Sequence, residues 1–229
     1  MKTLCILVLC CSLTCQAADF IAVTESMPPM QQELDGQVCG ENVELVQQIV
    51  SKAGLSAEFR LYPWARAYKM AQQQANTLIF AMARTPEREK RFYWIGKLVE
   101  FKLGLVRLQQ RGEPIQRLEQ LKGKTIAVQR DDSVYQWLIK AGFSEGNQLI
   151  VAASSEQSWA LLANGKVDYV VENPRFLPEI ERRTQLDKGA LVVDMTIADL
   201  SSSAYLAASL ATSPALVQRL QQAYQQVME

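Results

Sequence analysis

Three arginines, Arg84, Arg88 and Arg91, stand close together in the segment 83–96, and they are the residues here whose type and spacing most directly suggest chemistry. A planar guanidinium holds a carboxylate through two parallel hydrogen bonds, so the obvious partner is an anion. The segment also reads as a helix start. Thr85 suits an N-cap, Pro86 the first helical position, and Glu87 and Glu89 the positive end of a helix dipole. Cations in that turn are opposed by the dipole and need another source of stabilisation. Two readings stay open at this point: a bound anion, or a solvated turn in which Glu87 and Arg91 pair one helical turn apart.

Other chemistries are excluded more firmly. The 229 residues include no histidine. That removes Ser-His-Asp and Cys-His catalysis and the usual zinc ligand sets. No catalytic residue, metal or other cofactor is expected. Lys plus Arg and Asp plus Glu each number 24 and are interspersed without a basic tract, which makes nucleic acid and anionic membrane surfaces poor partners.

Residues 1–17 carry the marks of a cleaved signal peptide. Lys2 is the positive start, Leu4 to Leu13 the apolar stretch, and Cys15-Gln-Ala17 a small-residue cleavage site. The apolar run is too short for a membrane span, so a soluble exported product, located in the periplasm, is expected. None of Cys10, Cys11 and Cys15 follows the Leu-small-small pattern that lipid attachment usually requires. Cleavage leaves one cysteine of five, Cys39, and therefore no internal disulfide; Cys39 reads as a partly buried bystander in a Gly-rich loop. A hydrophobic core must hold the mature chain together.

The elements that would position the arginines alternate between two periods. β-type runs fall at 20–23, 57–61, 78–82, 103–108, 125–128, 149–151, 167–171, 191–194 and 204–209. Helical patterns fall at 43–50, 64–74, 132–141, 156–163, 174–183 and 214–227. This alternation implies right-handed βαβ units, mostly parallel sheets covered on both faces, and ligands beyond the carboxyl ends of the strands. The long β-rich run 94–108, interrupted by Gly96 and Gly104, and the polar stretch 199–203 read as two crossings between lobes.

An ordered series of motifs now resembles the periplasmic solute-binding proteins of family 3, the amino-acid-type binding proteins of ABC importers. It runs through Ser26-Met-Pro-Pro-Met30, Asp35-Gly36, Gly40 to Val50, Tyr62-Pro-Trp-Ala-Arg66, Ala83-Arg-Thr-Pro-Glu-Arg88, Leu121 to Val128 and Asn164 to Val171. The Pro-Trp-x-Arg element suggests a divergent branch. The resemblance implies an α/β, two-lobed type II periplasmic binding fold with two hinge crossings: 18–100 with 204–229 as the first lobe, and 101–203 inserted as the second. It also implies a monomer that captures a small carboxylate-bearing solute between the lobes, without catalysis, for an inner-membrane ABC permease or a sensor protein.

Site residues follow from the same resemblance. Arg88 matches the family's carboxylate clamp, and Arg84 stands beside it. Ala81 and Ala83 replace the usual hydroxyls before that turn. Asp132 and Ser133 occupy the place of the Gly-Ser/Thr turn that opens the second-lobe helix, although Asp132 also suits a plain N-cap. Asn173, with Glu172 beside it, aligns with the aspartate that receives the ligand amine; a neutral amide there would leave a buried ammonium without its counter-charge, against an ordinary α-amino acid. Trp64 and Arg66 on one helix start, with Met27 and Met30 in the first loop, are candidate walls. Tyr93, Trp94, Trp137 and Trp159 suit core or interlobe packing. The same fold in a dehydratase acting on prephenate-like acids is the enzymatic alternative, with Arg84, Arg88 and Glu172 in its roles.

Overall fold

The computed structural model describes residues 18–200 and 202–229; the expected signal peptide lies outside the described residues. In chain order the elements are β1 (Phe20–Thr24), the hairpin β2 (Gln32–Leu34) and β3 (Gln37–Cys39), α1 (Glu41–Lys52), β4 (Ala57–Leu61), α2 (Trp64–Gln73), β5 (Thr77–Ala83) and β6 (Phe92–Phe101). Then come β7 (Gly104–Leu108), β8 (Ile126–Gln129), α3 (Ser133–Lys140), β9 (Leu149–Ala152), α4 (Ser155–Ala163), β10 (Tyr169–Glu172), α5 (Leu177–Thr184), β11 (Leu191–Thr196), β12 (Ser202–Ser209) and α6 (Pro214–Met228).

Two five-stranded sheets result, ordered β4-β1-β5-β12-β6 and β11-β7-β10-β8-β9. In the first, β1 runs parallel to β4 and β5; in the second, β8 runs parallel to β9 and β10. The strand that enters each sheet from the other one, β12 or β7, runs antiparallel to both of its neighbours. A crossing chain returns into the middle of a sheet from the opposite end, and this reversal is the physical result.

Helical periodicity explains the layers. On α1, Val43, Val46, Ile49 and Val50 are buried against Phe20, Leu78 and Phe80 of the sheet and Leu220 of α6. Burying a side chain of that size contributes about 1.5–3 kcal/mol. Trp64, Ala67, Tyr68 and Ala71 of α2 cover the opposite face. In the second sheet, α3 packs on one face with Leu121 and Tyr169, and α4 and α5 on the other with Trp159 and Ile180. Trp94, also expected in packing, lies edge-on to Phe92 and Tyr205.

Two local expectations fail, and a third holds with its first turn tightened. Thr85 starts no helix: only a short 3-10 turn forms, at Glu89–Arg91, so no α-helix dipole opposes the arginines. Glu87 does not pair with Arg91 but with Lys140 on α3, and that contact holds its carboxyl down to about 2. The helix sought at 174–183 is a 3-10 turn, Pro174–Phe176, followed by α5. The β2–β3 hairpin is an addition. Asp35 and Gly36 at its turn have φ of 50° and 77°, as a two-residue type I′ turn requires.

Candidate ligand cleft between the lobes

The strands of both sheets end at one cleft. Glu25 follows β1, Ala83 ends β5, Asp132 lies just past β8, and Glu172 ends β10; all four line it. This is where α/β sheets offer their helix N-termini and irregular backbone to a ligand.

The first lobe contributes a cation and an apolar wall. Arg88 is only 1% exposed, and its guanidinium carbon lies 5.3 Å from the Trp64 ring centre and 5.1 Å from that of Tyr68. Cation–π attraction at such distances suits a desolvated guanidinium. Nη1 donates to the Ala83 carbonyl at 3.1 Å and Nη2 to the Asp131 carbonyl at 2.8 Å. Nε is buried without a partner. Trp64 begins α2 after Pro63 and is itself buried at the cleft. Met30 and Met27 pack across the cleft against the second-lobe cluster of Trp159 and Phe176. Gly40 holds that loop in place: a Cβ there would lie 2.5 Å from the Met30 carbonyl oxygen, and φ at Gly40 is 122°.

Negative charge comes from both lobes. Asp132 N-caps α3, its Oδ1 accepting from Ser133 N at 2.6 Å. Glu172 Oε1 accepts from Asn173 N at 2.7 Å. Burial raises all three cleft carboxyls. The Glu25 carboxyl is pushed up to about 8, chiefly by desolvation and further by the Asp132 charge, against a lowering from Gln129. Glu172 reaches about 7 for the same leading reason. Asp132 is also raised by burial, with Arg88 and the Ser133 backbone opposing the rise. At the rim, Arg175 approaches exposed Glu41 at 3.7 Å and Glu100 pairs with Lys97 at 2.8 Å. The interior therefore holds three carboxyls against one guanidinium.

Of the residues singled out in the sequence, Arg88, Trp64, Met30, Asp132, Ser133, Glu172 and Asn173 line this cleft. The Asn173 amide oxygen accepts from Arg175 N at 3.1 Å, capping the turn before α5, and Glu172 lines the cleft beside it. Arg84 and Arg66 do not line the cleft. Arg84 leaves β5 on the outer side, donates to Glu89 through Nε at 2.8 Å and rests over Trp94. Arg66 is exposed and lies 4.0 Å over the Tyr62 ring. Glu25 went unnoticed, although its place just beyond the first strand is a signal in this fold class.

Fold and cleft together define a two-lobed solute-binding protein. The sequence profile of the bacterial extracellular solute-binding proteins, family 3, matches residues 20–229, and the chain belongs to that family. Its structure is similar to a histidine kinase sensor domain with similarity to periplasmic binding proteins (TM-score 0.78, 21% identity, 91% of this chain and 89% of that one). It is similar as well to an ancestral arginine-binding protein bound to arginine (0.77, 19%, 91% of each). The arginine-, lysine-, histidine-binding protein ArtJ of Geobacillus stearothermophilus compares equally well (0.77, 20%, 93% and 90%). No curated protein sequence matches the chain. No helix among the described residues is long and apolar enough to cross a membrane.

Proposed function

We propose that this chain is a periplasmic binding protein that captures a small solute bearing one carboxylate and a net positive charge, a cationic amino acid, and presents it to an ABC permease or a sensor protein. One arrangement carries the reading: three partly buried carboxyls, Glu25, Asp132 and Glu172, line the same cleft as the fully buried, incompletely bonded Arg88. Burying like charges together is costly unless an opposite charge enters. A ligand carboxylate suits the free Nε edge of Arg88, and ligand cations suit Glu25, Asp132 and Glu172. The buried ammonium thus regains the counter-charge that Asn173 alone would deny it. Structural neighbours that bind arginine, lysine and histidine support the same choice.

The test is a titration by calorimetry with L-arginine, L-lysine, L-glutamine and L-glutamate. A cationic amino acid should bind most tightly, and a hundredfold excess over its Kd should add about 2.7 kcal/mol to unfolding stability. Preference for glutamate would refute the charge argument.

The dehydratase reading gains support from one observation, since Glu172 near neutrality suits a general acid. Prephenate carries two carboxylates, however, and the cleft interior offers them one arginine among three acids. Phenylpyruvate formed from prephenate would establish turnover; its absence leaves binding alone.

A further inference from the structure

Trp64 and Arg88 belong to the first lobe, yet they donate to the same acceptor in the second. The Asp131 carbonyl oxygen lies 2.8 Å from Arg88 Nη2 and 3.1 Å from Trp64 Nε1. Asp131 has φ of 61°, in the left-handed region that a non-glycine residue enters only at a cost. Its side chain is exposed, so this backbone conformation turns the carbonyl, not the carboxylate, toward the other lobe. Both donors are nearly fully buried, where an indole or guanidinium N–H left without an acceptor is strongly disfavoured.

We infer that the Asp131 carbonyl is an interlobe latch, and that Trp64 is a positioning residue which holds this carbonyl so that it can fix Arg88. The assignment of Arg88 to a ligand carboxylate rests on the function proposed above; the latch itself does not. Arg88 Nη1 is tied within its own lobe to Ala83, whereas the bond from Nη2 exists only with the second lobe in place. Closure therefore completes the orientation of the guanidinium and leaves Nε the donor without a partner. The ionic contacts that also join the lobes, Glu87 with Lys140 and Glu41 with Arg175, involve exposed side chains and are screened by water. The two bonds to Asp131 are sheltered.

Trp64→Phe keeps a ring beneath Arg88 and deletes the indole donor. With L-arginine as probe, dissociation followed by rapid displacement should accelerate about 3- to 10-fold, while association stays within about twofold. Asp131→Val strongly disfavours positive φ and should release ligand at least about threefold faster than Asp131→Gly, which enters that region freely. Trp64→Phe combined with Asp131→Val should add little to the larger single effect, because both act on one carbonyl.

Spin labels on the two lobes, with distances measured with and without L-arginine, read closure directly. The short-distance population should shrink in Trp64→Phe and in Asp131→Val. Unchanged distances and dissociation in Trp64→Phe would overturn the latch. Equal behaviour of the two Asp131 variants, or a wild type that stays open in both conditions, would do the same. If L-arginine does not bind, the ligand reading fails, and the ligand-free distances still judge the latch.

Discussion

Arg107 in the second lobe and Arg88 between the lobes are both buried, at 6% and 1% exposure, but their hydrogen bonds are filled differently. Arg107 Nε donates to both oxygens of Asp194, at 2.9 and 3.0 Å, and Nη1 to the carbonyls of Leu108, Gln109 and Arg111. Asp194 in turn accepts from the Tyr169 hydroxyl and the Ile115 N–H. Arg88 makes no ion pair within 4.0 Å among the described residues and keeps a buried Nε without a partner. An arginine whose donors are consumed by its own chain holds a fold together. One that is desolvated but incompletely bonded is ready for something that arrives from outside.

The largest effect should come from breaking the satisfied site. Asp194→Ala leaves a buried guanidinium, a tyrosine hydroxyl and a backbone N–H without their common acceptor. A loss of about 3–5 kcal/mol in urea unfolding is expected. The fraction that remains folded should keep its affinity for L-arginine. If Asp194→Ala instead weakened binding with little change in stability, the two arginines would have been assigned the wrong way round.

Arg88→Ala should do the reverse. Loss of a charge-assisted hydrogen bond to a ligand carboxylate corresponds to about 1.5–3 kcal/mol, or roughly 10- to 150-fold in Kd by calorimetry. Unfolding stability should change less than in Asp194→Ala, because Arg88 already lacks one partner and its removal also relieves desolvation. An unchanged Kd would end the carboxylate-clamp assignment.

The acidic side of the cleft sharpens the comparison through pH. Glu25 and Glu172 titrate near 8 and 7 in the folded protein and at ordinary carboxylate values, near 4.5, when unfolded. The folded state thus binds more protons between about pH 4.5 and 8, and ligand-free stability falls as pH rises through that window. Glu25 faces Asp132, the Gln129 amide, Glu172 and Glu156, Glu172 faces Asp132, and Arg88 acts on Asp132 alone. A bound cation favours the ionised forms, so affinity for L-arginine should rise with pH over the same range. Urea midpoints at pH 5, 7 and 9, with and without L-arginine, check both directions; a ligand-free midpoint that rises with pH would contradict the buried acids.

The layered fold was legible because burial imposes periods that a sequence displays. Val43, Val46, Ile49 and Val50 mark one helix face, and the β-type runs recur at the spacing βαβ units need. Arg88 was legible because it sits at a fixed place in a recurrent turn. Arg84 and Arg66 were candidates beside it, and neither the spacing in the non-helical turn that holds Arg84 nor the start of α2 that holds Arg66 says which side the side chain takes. Glu25 stands just before the Ser26–Met30 motif, and its raised pKa arises chiefly from burial and then from Asp132, a residue more than a hundred positions away, and both causes exist only once the chain has folded. Arg107 and Asp194 stand 87 positions apart, and nothing in either neighbourhood announces the pair. The β2–β3 turn is a different case: Asp35-Gly36 is a strong hairpin signal, and alternation over three-residue strands is too short to accompany it.

Arg84→Ala should have the smallest effect, and its smallness is informative. Arg84 stands four residues before Arg88 and is equally basic, but its side chain is 39% exposed and already paired to Glu89. Its place over Trp94 and Tyr205 covers the outer edge of the β6–β12 ladder, away from the cleft lining. An exposed pair of this kind is screened by water and contributes little to folding. Kd for L-arginine should stay within about twofold of wild type, with only a slight fall in thermal stability from lost packing on the rings. A loss of affinity comparable to that of Arg88→Ala would mean that the turn swings to bring both arginines inward on binding. The contrast between a consumed and an available guanidinium would then describe two states of one turn rather than two kinds of arginine.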